Sequence, residues 1–155
     1  MPYTKGTLAG DFIEGVLTEI PDAICVSVIN LSAGMSIDSY CNTPDFDPDV
    51  AAVHHTEILK AERNAVSALH LKDSIKDIFI TLDTQIHMLT LSKTGKALYY
   101  IVADAKKTSL GMVRSTMQKF AKGIWSALLV RINLYLNSNP YHYEQRTYRF
   151  ITQSL

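Results

Sequence analysis

Neither sign of charge prevails in this chain. Its 155 residues hold 15 lysines and arginines against 15 aspartates and glutamates. Binding nucleic acid through its phosphates calls for a basic excess, so that partner is not expected. Long apolar runs are missing as well. No stretch approaches the ~20 residues that span a bilayer, and residues 1–12 lack the apolar core of a secretory signal. The expectation is a soluble, cytoplasmic protein without direct membrane insertion. Cysteine is scarce: Cys25 and Cys41 stand alone, outside any CxxC pair. No repeat, low-complexity tract or internal linker interrupts the chain. What the sequence does have is apolar residues, 47% of the total, enough for a sizeable core in one domain. That domain is expected over residues 1–137, with 138–155 as a C-terminal tail without an assigned role.

The order of elements carries information. Leu8, Phe12, Ile13, Val16, Leu17 and Ile20 recur at helical spacing, which predicts an amphipathic helix over 7–20, ended by Pro21. Residues 24–31 and 36–41 read as two strands joined by Ser32-Ala33-Gly34. A helix is expected from Pro48 to about His70. Three strands follow, at 77–82, 86–91 and 97–103, with Gly95 in the second of the short turns. The connections are too short for parallel crossovers, so these strands should be antiparallel neighbours. A last helix is expected over 110–137, along the stripe Leu110, Val113, Met117, Phe120, Ala121, Ile124, Leu128, Ile132 and Tyr135. In the first of the three strands Ile78, Ile80 and Leu82 lie on one side and Phe79 on the other. The fold class is therefore α+β: a central five-stranded antiparallel sheet with helices on both faces, in the order α-β-β-α-β-β-β-α.

The segment "NTPDFDPDVAAVHH" (42–55) raises the question of metal chemistry. A calcium loop counted from Asp45 would need glycine where Val50 stands and an acid where Thr56 stands. A helix start explains the residues better. Asp47 suits the N-cap, Pro48 the first helical position, and Asp49 the positive end of the helix dipole. His54 and His55 are adjacent, so on a helix they diverge by about 100° and cannot chelate together. With His70, His87 and His142 scattered, helix-surface or interface histidines are expected rather than a metal site. Neither GxSxG nor a P-loop occurs. Lys106-Lys107 precedes a helix and reads as an exposed turn rather than a phosphate site. No catalytic residue, cofactor or metal is expected, and the chain is not read as an enzyme. In a hairpin turning at Ala33-Gly34, Cys25 and Cys41 fall nearly opposite, roughly 4.5–5.5 Å apart. A disulfide is geometrically open, but two reduced thiols in a cytosolic sheet are the expectation.

Several segments together resemble the roadblock / dynein light chain family. They are Ile20-Pro21-Asp22-Ala23 at the end of the first helix, Val26-Ser27-Val28-Ile29-Asn30 with Gly34 after it, and Ala51-Ala52 early in the second helix. The strongest match is "YYIVADAKKTSLGMVRSTMQKFAKGI" (99–124), where Asp104, Leu110, Gly111, Val113 and Arg114 stand as in that family's junction of strand and last helix. The likeness covers about residues 7–130. It implies a homodimer in which the third strands pair into one sheet and the second helices pack across the axis. The interface would take in Asp77, Ile78, Phe79, Ile80, Thr81 and Leu82, with Val50, Val53, His54, Ile58 and Ala61 from the helix. It also implies a non-enzymatic regulator or scaffold that binds a small Ras-like GTPase or a signalling or motor complex. The residues lend support of their own. An apolar edge at 77–82 is a pairing template. The helix 48–70 carries two patches, Val50, Val53 and Ala61 beside Ala51, Ile58, Ala65 and Leu69, one for the sheet and one for a partner. Arg114 is expected on a helix surface. The alternative is a small-ligand sensor of PAS or GAF type, with a cavity lined by His87, Tyr99 and Cys25.

Overall fold

The computed structural model describes residues 3–123. The expected helix beyond residue 123 and the tail 138–155 lie outside the described residues. Helix α1 (Leu8–Glu19) leads into strands β1 (Cys25–Asn30) and β2 (Met35–Cys41). Helix α2 (Pro48–Ala68) follows, then β3 (Asp77–Thr81), β4 (Gln85–Leu91) and β5 (Ala97–Asp104). Helix α3 occupies residues 110–123 as far as it is described. The five strands form one antiparallel sheet in the order β2-β1-β5-β4-β3. The α+β architecture read from the pattern is the one observed, and element ends differ by a residue or two.

The alternation along each strand sorts the core into two layers. Val26, Val28, Ile86, Met88, Tyr99, Ile101 and Ala103 face α1 and α3, where Phe12, Ile13, Val16, Val113 and Met117 meet them. Cys25, Ile29, Leu89, Leu98, Tyr100 and Val102 face the other way, against Ala52 and Leu59 of α2. Both layers exclude water, which is why β5, at the centre of the sheet, is apolar at successive positions rather than alternate ones.

Local chemistry fixes the ends. The Asp47 carboxylate accepts the N–H groups of Asp49 and Val50, as expected of an N-cap before Pro48. Asp49 does more than favour the dipole. Its Oδ1 accepts the Ser36 N–H and hydroxyl, tying α2 to β2 and lowering its carboxyl pKa. At the other end of α2 the chain turns through His70, whose φ is 54°. The His70 N–H donates to Ser67 O and the Leu71 N–H to Val66 O, so two terminal carbonyls are satisfied. Glycine enters that left-handed region without the Cβ clash, so His70→Gly is expected to raise stability by about 0.5–1 kcal/mol. Chemical denaturation of both proteins at pH 7.5 checks it.

The outer edges of the sheet differ. The pair Ile24–Asn42 is hydrogen-bonded, which alternation turns into outward-pointing N–H groups at Ser39 and Cys41 of β2. The Ser39 N–H is taken by Asp38 Oδ1, while Asp38 Oδ2 accepts the Thr4 N–H. A bulge between Val28 and Ile29 leaves Ile37 unpaired. Among the described residues edge strand β3 has no such cover. Leu82 N–H donates to Gln85 O, so the residues of β3 that point their backbone groups outward are Asp77, Phe79 and Thr81.

Candidate functional site

Two histidines next to each other in sequence take opposite fates on α2. His54 is exposed and His55 is 8% exposed. The helix meets the sheet through Pro48, Ala52, His55, Thr56 and Leu59. Neither apolar patch read from the sequence is that stripe. Val50 and Val53 face solvent, Ala61 and Ala65 are exposed, and Ala51 and Ile58 are half-buried. The reading of His55 as a surface or interface group is thus corrected. The sequence signal that could have found it is its spacing, three residues after Ala52 and four before Leu59.

Beyond Leu59 the helix leaves the sheet. From Lys60 to Ser74 every residue is exposed apart from half-buried Val66. Leu69 is 68% and Leu71 54% exposed. The neighbouring sheet face is only partly covered: Ile78 and Ile80 are half-buried and Leu82 is exposed. Among the described residues an unaccompanied end of α2, an open strand edge and a half-covered apolar face thus adjoin along the chain. Such a surface suits another polypeptide better than a small molecule.

The six strand residues named from the sequence divide by face. Ile78 and Ile80 point to the α2 side, and Asp77 and Phe79 to the α3 side. Asp77 is committed within the protomer. Its side chain is 6% exposed, accepting the Thr90 hydroxyl at 2.8 Å and two N–H groups of Arg114 at 2.9 and 3.2 Å. The Arg114 guanidinium also lies over Phe79, 5.8 Å from the ring centre. Arg114 is exposed on the surface of α3, as expected, and from there it clamps α3 to β3. Among the described residues Lys107 pairs with Asp22 at 3.4 Å, in keeping with an exposed turn before α3.

The trio His87, Tyr99 and Cys25 does not line one cavity. Tyr99 lies in the α1 layer, its ring 4.9 Å from that of Phe12. The partner of His87 is Tyr100, whose hydroxyl stands 2.8 Å from His87 Nδ1. Burial pushes the Tyr100 phenol up and the His87 imidazole down. A small pocket of about 80 Å³ lies elsewhere, beside Ile20, Thr108 and Met112, and falls well short of the roughly 300 Å³ of ordinary ligand sites. Cys25 and Cys41 sit opposite each other with Cα atoms 4.1 Å apart and are joined as a disulfide, which corrects the expectation of two reduced thiols. Among the described residues no group of three or more His, Cys, Asp or Glu could hold a metal ion, and no helix is long and apolar enough to cross a membrane.

No protein-family model matches the chain. No curated protein matches it either. Solved structures do. MglB of Myxococcus xanthus is similar at a TM-score of 0.64 and 16% identity, covering 74% of this chain and 89% of its own. A Roadblock/LC7 domain from Streptomyces avermitilis gives 0.64 and 14%, covering 79% and 95%. An MglB with a tetrameric arrangement gives 0.65 and 16%, covering 78% and 90%. At such identities the likeness speaks of backbone arrangement, and there it agrees with the resemblance seen over residues 7–130. This chain has the roadblock/LC7 fold.

Proposed function

We propose that the chain is a non-enzymatic, homodimeric regulator or scaffold of roadblock type. It acts in the cytoplasm and binds a small Ras-like GTPase or a signalling or motor complex. The observation that carries the dimer is the unaccompanied half of α2 beside the open β3 edge. Pairing two β3 strands through the outward groups of Phe79 and Thr81 would satisfy that edge. Two copies of α2 crossing over Ile78, Ile80 and Leu82 would cover Ala61, Ala65, Leu69 and Leu71. Val50, Val53, His54 and Ile58 remain on the α2 surface of this reading, whereas Asp77 enters through its backbone alone. The kind of partner comes from the resemblance and from the named relatives, not from a site on this chain.

Light scattering on a sizing column at micromolar concentration is expected to give twice the chain mass. Thr81→Pro is the discriminating variant. Its N–H points away from β4, so proline there removes no bond of the protomer's own ladder but blocks the outer edge. A monomer with a melting curve close to the parent's monomeric value is expected, and an unchanged dimer would count against strand pairing. Retention of a GTPase from native lysate, with and without GTP, addresses the partner.

A further inference from the structure

Buried His55 of α2 and Tyr100 of β5 form a cluster with half-buried His87 of β4 that the assembly surface does not use. The His55 ring lies 4.5 Å from Tyr100 and 6.2 Å from His87, centre to centre. Gln85 Oε1, which can only accept, stands 3.0 Å from His87 Nε2. His87 therefore donates there and accepts from the Tyr100 hydroxyl at Nδ1, which suits the neutral ring. Buried His55 Nδ1 has no hydrogen-bond partner among the described residues.

We propose that this cluster is a proton-operated latch: with both imidazoles neutral α2 lies on the sheet, and protonation releases it. A proton on His87 Nδ1 ends the bond accepted from the Tyr100 hydroxyl, which must turn to accept from the ring instead. A proton on His55 puts charge where nothing accepts it, about 6 Å from a second imidazole. No acid among the described residues offsets this. On its own helix the nearest titratable neighbour is His54, which adds repulsion. Asp104, on the same face of β5, accepts the Lys106 N–H. Asp47, before α2, is spent on the first turn, and Asp45 beside Phe46 is exposed. β1 and β2 contribute Ser27 and the Cys25–Cys41 pair. Desolvation, then the charges of His87 and His54, hold the His55 pKa down at about 4. The docked helix thus binds fewer protons than the released one, so docking is full above pH 6.5 and weakens as pH falls toward 4. For any effect on assembly the latch rests on the homodimer reading above.

Amide exchange, corrected for the intrinsic rate at each pH, tests it on the full chain. Protection of residues 52–59 is expected to fall on the order of 100-fold between pH 7 and 4.5. The amides of β5 should hold, and His55→Leu should remove most of the fall, leaving the smaller part due to His87. Unchanged protection in the parent, or an equal fall in His55→Leu, would overturn the latch. If that variant lacks β5 protection, an NMR titration of the parent decides: a His55 midpoint below 5 supports the latch and one near 6.5 overturns it. Mass by light scattering at pH 7.5 and 5 separates the two readings. A dimer that halves at pH 5 supports both. A monomer at both values sinks the homodimer alone and leaves exchange to judge the latch.

Discussion

Alanine at position 114 is expected to lower the stability of the domain by about 2–3 kcal/mol. The cost arises at Asp77, not at Arg114. The Asp77 carboxylate is almost enclosed, and without the guanidinium it keeps, among the described residues, only the Thr90 hydroxyl as a side-chain donor. Arg114 itself is half exposed, so water enters the gap and the effect falls at or below the lower end of the range for breaking a buried pair. Phe79 also loses the cation over its ring. Arg114→Lys should recover part of the loss, since an ammonium replaces the charge but not the fork. Replacing both partners by apolar residues, Asp77→Leu with Arg114→Met, should cost less than Arg114→Ala alone, because no charge is left stranded. Urea denaturation of the four proteins measures this, and a loss under about 0.5 kcal/mol for Arg114→Ala would mean that Asp77 is served by water instead.

Gly15→Leu should cost about 3 kcal/mol or more, by prising α1 from α3. A Cβ at Gly15 would lie 2.3 Å from Phe120 Cδ1 and 2.9 Å from its Cγ. The root of that ring cannot swing away as a flexible tip could, so the helices must part. Thr116 donates to Glu19, and Lys119 pairs with the same carboxylate, lowering its pKa. Both contacts depend on that close crossing. The alanine variant tests the geometry with less damage: its gain in helix propensity, about 1 kcal/mol, should be outweighed by the clash. Phe120→Ala in the same chain should let that gain reappear. Thermal unfolding of the single and double variants reads the coupling, and strict additivity would show that the ring yields freely.

The strands were legible because short apolar, β-branched runs lie between clear turns, even where, as in β1 and β5, both faces are buried. The turns at Gly34 and Gly95, both at positive φ, set the hairpins as read. Helix α2 was legible in extent but not in orientation. Its sheet-facing stripe includes His55 and Thr56, while Val50, Val53 and Leu69 turn outward. Hydrophobicity records that a side chain leaves water, not whether its own sheet or another chain receives it. The Arg114–Asp77 clamp joins residues 37 apart and obeys no period, so spacing could not reveal it. The facing of Cys25 and Cys41 could be counted from the turn, but their bonding could not, because compartment chemistry argued the other way.

The unlike borders of the sheet set a limit on size. At the β2 border the Asp38 carboxylate and the unpaired Ile37 obstruct an incoming strand, while among the described residues the β3 border is open. Among the described residues strand addition therefore has one point of entry. On the proposed homodimer, two copies meeting there would exhaust each other's capacity, so growth would stop at a pair instead of running on into a fibre, and any larger array would have to be built through side chains rather than backbone.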